Sequence, residues 1–335
     1  MLVVMAHATQ MVHERMGTGQ VLHFGASGVD IFFPISGFVM AVTTYKRWGQ
    51  AGVAADFLLR RLIRIVPLYW AATLLKLAAV LALPALTSHP NPEAWHVVAS
   101  FLFIPEWDPD GKALPLLPVG WTLNYEMLFY ALFAVVLAFR LRPVLWLGAI
   151  LLCLSFLPYP RTDSAIATLA NPILMEFVAG MFIGWATVAG HRMPARLAVV
   201  CLAASFGALA MSQALPESFG IRHRHWLWGV PGSVALVSVI ALEPLFKRWR
   251  SRWAVQLGDA SYAIYLIHGF VVPFVGVAFL KLQASGAGAG LGATVVACVL
   301  SAIVGVVVHQ RIEGPLTHWL NSRLLARRAE NLSTP

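Results

Sequence analysis

Ionisable side chains interrupt several long apolar runs of this sequence, in positions where a charge is costly. Asp30 stands near the start of the run 28–45, Glu126 lies inside WTLNYEMLFYALFAVVLAF, and His268 lies inside YAIYLIHGFVVPFV. A charged group at the centre of a bilayer costs roughly 2.5–3.5 kcal/mol on insertion scales. Groups retained at that cost indicate chemistry or transport within a bundle of helices.

His7 is a fourth candidate, in the apolar stretch MLVVMAHATQ. Imidazole titrates near neutral pH and is the commonest general base, so His7 could transfer a proton. The alternative is a histidine that packs against a neighbouring helix without a catalytic role. Asp30 has two open interpretations as well, since it could orient a histidine or cap its helix.

Helical spacing groups further polar side chains around these candidates. Glu126 and Tyr130 are four residues apart and therefore share a helix face, and Asn124 supplies a nearby amide. Tyr265 and His268 belong to a similar stripe. His268 could be catalytic, bind substrate or bond to a neighbouring helix, and Glu126 could likewise form only an interhelical bridge.

Three arginines occur together in FLLRRLIRIVPLYW. Arg61 and Arg64 are three residues apart, and Arg60 and Arg64 four apart, so a helix would turn these guanidinium groups to one side. Pro67 is predicted to begin the next membrane helix. Guanidinium groups bind phosphates through paired hydrogen bonds, so the cluster could hold a phosphate-rich cofactor. Ordinary anchoring of a membrane helix is the alternative.

The composition indicates which secondary-structure elements position these groups. The chain has 335 residues, of which 59% are hydrophobic and 12% charged, against about 25% charged in soluble domains. Ten apolar segments are predicted, at 1–12, 28–45, 66–83, 119–139, 143–157, 171–189, 196–214, 226–242, 259–280 and 291–310. The sequence thus predicts an all-α, polytopic integral membrane protein with about ten transmembrane helices.

The net charge of +9 reflects topology rather than nucleic-acid binding. With the first segment running outward from the cytoplasm, most lysines and arginines fall in inner loops, as the positive-inside rule requires. The outer loops hold Arg15, Lys112, Arg161, Arg222 and Arg224. This arrangement predicts that both termini are cytoplasmic and that the lipid bilayer, not nucleic acid, is the surrounding partner.

The chain is predicted to form one membrane bundle, 1–320, followed by a cytoplasmic tail, 321–335. The first apolar segment is too short to span a bilayer, so we expect a helix truncated at its N-terminus. A short amphipathic helix is expected near 95–103, in the long outer loop. The glycine-rich segment 286–292 is interpreted as a flexible turn.

Sequence motifs exclude several other classes of site. The pair Gly180 and Gly184 forms a GxxxG motif, which predicts close helix packing. Ser36 and Gly37 are also interpreted as packing residues, because no GxSxG nucleophile motif surrounds Ser36. The sequence contains no HExxH motif, Walker loop or paired Cys/His set, so no metal cofactor is expected.

Six stretches in order resemble the membrane acyltransferase family 3, the bacterial O-acyltransferases of surface polysaccharides. They are VVMAHA (3–8), GVDIFFPISGF (28–38), FLLRRLIRIVPLYW (57–70), GWTLNYEMLFY (120–130), NPILMEFVAG (171–180) and LGDASYAIYLIH (257–268). They span nearly the whole chain. The residues of the fourth and fifth stretches look most like those of the exopolysaccharide-production branch.

The resemblance implies ten membrane helices, an acyl-CoA donor and a sugar hydroxyl as acceptor. It places the family's catalytic histidine at His7 and its RxxR motif, near the CoA phosphates, at Arg61 and Arg64. The family usually carries a basic residue about ten positions before this histidine. That position would precede Met1, which agrees with the expected truncation.

From this resemblance we expect transfer of an acyl group, acetyl in the first instance, from acetyl-CoA to an exopolysaccharide or its lipid-linked precursor at the bacterial inner membrane. His7 would be the general base or would carry the acetyl group itself, with Glu126 or Asp30 orienting it. Arg61, Arg64 and Arg60 would bind CoA. Substrate contacts are expected from Asn124, Tyr130, His268 and Tyr265.

Two other classes remain open from the sequence. A secondary transporter would also carry ionisable groups in many helices, although the chain shows no inverted repeat. A non-catalytic subunit of a polysaccharide export complex is the second alternative. Substrate uptake without acyl-CoA would favour the first, and unchanged acetylation after mutation of His7 or Glu126 would favour the second.

Overall fold

The fold is described from a computed structural model, which describes residues 1–83, 91–157, 164–246 and 251–333, with side chains through residue 325. Arg161 and the last two residues of the predicted tail lie outside these ranges. Within them the chain forms α-helices, short 3₁₀ and π-helical turns, and no β-strand. The helices are α1 Leu2–Met16, α2 Ser27–Tyr45, α3 Val53–Ala82, α4 Ala94–Phe101, α5 Trp121–Ala138, α6 Pro143–Phe156, α7 Leu174–Val188, α8 Ala195–Met211, α9 Glu217–Arg222, α10 Val230–Phe246, α11 Arg252–Asp259, α12 Ser261–Lys281, α13 Gly286–Val308 and α14 Gly314–Ser333.

Eight helical segments of the described chain are long and apolar enough to cross a bilayer. Together with the absence of strands in the same residues, they confirm an all-α, polytopic membrane protein. The other two predicted segments form α1, of 15 residues, and α6, of 14 residues. Both are shorter than the roughly 20 residues that a full span needs.

The closest helix contact joins α2 to α7 through glycines. A Cβ atom on Gly37 would collide with the Phe177 carbonyl, and one on Gly180 with the Pro34 carbonyl. At Gly184 it would come within 2.9 Å of the Phe38 carbonyl oxygen. The close packing predicted for Gly180 and Gly184 is therefore confirmed, and it brings the backbones of the two helices together.

Small residues also pack α1, α12 and α13 together. Gly276 of α12 contacts Met11, and Gly290 of α13 lies against Val12. An apolar cluster fills the space between these helices, with Ala8 and Ala297 fully buried. Because α1 and α12 are adjacent, the two histidines that they carry are brought within reach of each other.

Two local predictions are wrong. Pro67 lies inside α3 instead of starting a helix, and α13 begins at Gly286 rather than after a flexible turn. A chain within a bilayer must satisfy its backbone hydrogen bonds locally, which favours continuous helix even through proline or glycine. The short helix expected near 95–103 is confirmed as α4.

Candidate active site

A partly open cavity of about 660 Å³ lies between α1, α2, α3, α5, α11 and α12. Its walls are mainly apolar, with a set of polar side chains that face the same space. The polar lining residues are Ser36, Arg61, Arg64, Thr122, Glu126, Tyr130, Ser261, Tyr262 and Tyr265. An apolar cavity with a few convergent polar groups is the usual form of a small-molecule site.

Two of the three predicted arginines line this cavity. Arg61 and Arg64 face it from α3, and the Arg61 guanidinium lies 5.9 Å from the centre of the Phe57 ring. Arg60 points elsewhere, where its Nε lies 3.4 Å from the Asp56 carboxylate. Arg60 pairs with Asp56 instead of facing the cavity, so the RxxR pair lines the cavity without it.

Glu126 is buried in α5, at 1% exposure, and lines the cavity. The Ser36 hydroxyl donates a hydrogen bond of 2.6 Å to its Oε1. The second oxygen, Oε2, has no hydrogen-bond partner within the described part of the chain. Ser36 was interpreted as a packing residue, and the structure shows that its hydroxyl also holds this carboxylate.

His7 and His268 are in direct contact. The distance from His7 Nδ1 to His268 Nε2 is 2.9 Å, and His268 Nδ1 contacts the carbonyl oxygen of Tyr265 one turn earlier in α12. His268 is fully buried, whereas His7 is exposed on the surface of α1. Both residues were predicted as site residues from the sequence, but nothing in the sequence indicated that they contact each other.

The hydrogen bonds of this pair define its tautomers. A carbonyl oxygen can only accept, so His268 Nδ1 carries the proton and the neutral ring accepts at Nε2. His7 must then donate from Nδ1, which leaves His7 Nε2 with a free lone pair. A ring oriented in this way, with its second nitrogen unprotonated, has the arrangement of a general base.

The histidine pair lies next to the cavity. Val3 and Val4 line the cavity from α1, four and three residues before His7. On α12, Ile264 and Tyr265 line it in the same relation to His268. Each histidine is thus one helical turn beyond the cavity wall.

The remaining substrate candidates differ in their environments. Tyr130 is buried and lines the cavity, as does Tyr265. The Tyr265 hydroxyl donates to the Val119 carbonyl at 2.6 Å and lies 2.9 Å from Thr122 Oγ1. Asn124 is buried and does not belong to the cavity lining described here.

Asp30 forms a separate polar cluster. Its carboxylate is fully buried and accepts two hydrogen bonds from Arg224, of 2.9 Å from Nε and 2.8 Å from Nη2. The Arg224 guanidinium also lies 5.4 Å from the Trp121 ring and 5.6 Å from the Trp228 ring. The structure therefore places His268, and neither Asp30 nor Glu126, against His7.

Sequence reasoning missed the role of Arg224 and did not consider Glu176. Arg224 was counted as an outer-loop charge, although its side chain is only 18% exposed. Glu176 of α7 is buried, and neither of its carboxyl oxygens has a hydrogen-bond partner in the described ranges. Two tryptophans close to Arg224, in HRHWLWG, were a signal that this segment is not an ordinary loop.

Metal-ligating side chains are not clustered in the described chain, where no group of three or more His, Cys, Asp or Glu could hold an ion. The site is instead a set of guanidinium, carboxyl and hydroxyl groups around a partly open space, with the two imidazoles one helical turn away. Fold and site together define a polytopic helical membrane protein with a cavity among its helices.

A family comparison makes this class specific. The model of the acyltransferase domain family, acyltransferase family 3, matches residues 1–309, and the chain belongs to this family. It is 35% identical, over 91% of its length and 94% of the relative's, to the exopolysaccharide production protein ExoZ of Rhizobium meliloti.

A second relative is more distant. The chain is 26% identical to the acyltransferase MdmB of Streptomyces mycarofaciens, over 96% of its own length and 88% of the relative's. No solved structure gives a significant match. The predicted family is thus confirmed, and the protein is a multi-pass membrane acyltransferase.

Proposed function

We propose that this protein transfers an acetyl group from acetyl-CoA to a sugar hydroxyl of an exopolysaccharide or its lipid-linked precursor. Family membership supports acyl transfer, and the similarity to ExoZ supports an exopolysaccharide acceptor. The observation that carries the proposal is one cavity that joins the Arg61 and Arg64 pair to the helix turn preceding His7.

The arginine pair suits the CoA end of the donor. Arg61 and Arg64 are three residues apart on α3 and face the same space, so together they can hold the donor's phosphates. The distribution of basic residues predicts that this end of the cavity is cytoplasmic, where acyl-CoA is made. The bacterial inner membrane, with both chain termini inside, is the location that fits this arrangement.

The histidine pair suits the proton transfer. His7 Nε2 takes the proton of the acceptor hydroxyl as its oxygen forms a bond to the thioester carbonyl carbon. The carbon–sulfur bond then breaks, and the CoA thiolate leaves with the bonding electrons and takes the proton from the His7 imidazolium, which restores neutral His7 and gives the CoA thiol. His268 accepts a hydrogen bond from His7 Nδ1 throughout, which holds the ring in position.

Glu126 and Tyr130 are assigned to the part of the donor nearest the thioester. Both line the cavity together with the arginine pair and Tyr265 of α12. The unpartnered oxygen of Glu126 can accept a hydrogen bond from an amide N–H of the donor. The Tyr130 hydroxyl can donate to the carbonyl oxygen as it gains negative charge.

Replacement of His7 by alanine tests this assignment. The purified His7→Ala protein should lose roughly 10²- to 10⁴-fold in acetyl transfer to de-O-acetylated exopolysaccharide, the usual contribution of a general base. His191→Ala is the control, because His191 is exposed in the turn after α7. Wild-type transfer by the His7 variant would rule out its role as the base.

A further inference from the structure

A second cavity, of about 590 Å³, lies further along α1 and has no residue in common with the first. Gln10, His13 and Glu14 of α1 form one wall. The rest is formed by residues of the segment after α1 and residues at and before the start of α9, which are Gly19, Gln20, Val21, His23, Gln213, Leu215, Pro216 and Glu217. The proposed acetyl-CoA site leaves this space unexplained.

The two cavities lie on either side of His7 along α1. Val4 lines the first cavity and Gln10 lines the second, each three residues from His7. Three residues correspond to about 4.5 Å of helix rise, so His7 is midway between the two linings. His7, Gln10 and Glu14 also share one exposed helix face, since their spacing is i, i+3 and i+7.

The chemistry of the second wall differs from that of the first. Its polar groups are amides, imidazoles and carboxylates, and no lysine or arginine belongs to the described lining. The first cavity presents two guanidinium groups instead. A wall of closely spaced donors and acceptors without cationic groups suits an uncharged, hydroxyl-rich molecule rather than a phosphate-bearing one.

Hydrogen bonds hold this wall in place. The Gln213 side chain donates to the Val21 carbonyl at 2.7 Å and accepts from the Phe24 backbone N–H at 3.3 Å. The Gln10 amide donates to Glu14 Oε1 at 2.8 Å. Gln213 therefore fixes the turn after α1, whereas Gln10 and Glu14 form a polar pair on the helix surface.

We propose that this second cavity binds a saccharide unit of the acceptor and brings one of its hydroxyls to His7. This inference rests on the proposed function. It assigns the donor and the acceptor to opposite sides of His7, with Gln10 and Glu14 as saccharide-binding residues and Gln213 as a structural support. The acceptor can then reach the base without passing the arginine pair.

The test replaces Gln10 and Glu14 together. The double variant Gln10→Leu, Glu14→Met removes both members of a hydrogen-bonded pair, so neither is left without its partner. The acceptor probe is the oligosaccharide repeat unit of the host's own exopolysaccharide, de-O-acetylated with alkali. Gln256→Leu, an exposed position on α11, is the control.

The double variant should raise the KM for the oligosaccharide about tenfold or more, because hydrogen bonds to a carboxylate are among the stronger ones. The KM for acetyl-CoA and the melting temperature should stay at wild-type values. An unchanged KM for the oligosaccharide would overturn the inference.

Saturation-transfer NMR without acetyl-CoA separates this inference from the proposed function. Wild-type protein should bind the oligosaccharide and the double variant should not. Binding by the wild type without any acetyl transfer would refute the proposed function and leave the saccharide site standing. Equal binding by both proteins, or none by the wild type, would overturn the saccharide site.

Discussion

Two buried carboxylates on separate helices have opposite surroundings. Asp30 of α2 is bound through both oxygens by Arg224, so its charge is matched within the protein. Glu126 of α5 receives one bond from Ser36 and faces an open cavity with its other oxygen unpartnered in the described chain. Both oxygens of Asp30 accept a hydrogen bond from a cation of the protein, whereas one oxygen of Glu126 is left for a ligand.

The difference separates a structural role from a functional one better than burial does. Both side chains are almost completely inaccessible, and both interrupt apolar helices. In a buried ion pair each charge compensates the other, so removal of one partner destabilises the protein strongly. A buried acid without a matching cation in contact is costly and is best explained by what enters the cavity beside it.

The largest effect on stability is expected from breaking the Asp30–Arg224 ion pair. Arg224→Met leaves the Asp30 carboxylate buried and unpaired, which should lower the free energy of unfolding by about 3–5 kcal/mol. Thermal unfolding in detergent measures the loss. The double variant Asp30→Asn, Arg224→Met removes both charges and should recover most of it. A melting temperature unchanged by Arg224→Met would contradict the structural role.

A smaller effect is expected from replacing the two arginines that line the first cavity. Arg61→Gln, Arg64→Gln should raise the KM for acetyl-CoA about 100-fold, because two charged hydrogen bonds of about 1.5 kcal/mol each are lost. Arg60→Gln is the matched control on the same helix, since Arg60 lies outside the cavity lining. An equal rise in the control would show that general surface charge, not contact, sets donor affinity.

The smallest effect is expected from Glu126→Gln. The amide oxygen can still accept from Ser36, so the melting temperature should stay within about 1–2 °C of wild type, since a change of 1 kcal/mol shifts it by only a few degrees. The kcat/KM for acetyl-CoA should fall about tenfold, the equivalent of one hydrogen bond to a charged group. A loss of stability as large as that of Arg224→Met would show that Glu126, like Asp30, has a structural role.

Local sequence predicted what depends on spacing within one helix. The Arg61 and Arg64 pair, the close packing at Gly180 and the segments of apolar helix follow from periodicity and composition alone. Each of these predictions uses only the spacing or composition of residues within one helix.

Contacts between distant helices were not predictable in the same way. The His7–His268 pair joins residues 261 positions apart, and the Asp30–Arg224 pair joins residues 194 apart. Apolar helices of similar composition give no sequence signal of which neighbour they pack against. Arg224 resembled a loop residue because the apolar segment beside it starts only at the next residues.

The glycine contact between α2 and α7 has a consequence for motion. With the Gly37 and Gly180 backbones pressed against the partner helix, a slide of either helix would bring side chains where only hydrogen atoms fit. The two helices must therefore move as one rigid body. Any movement that admits a ligand is then expected between this α2–α7 pair and the other helices around the cavity, not within the pair.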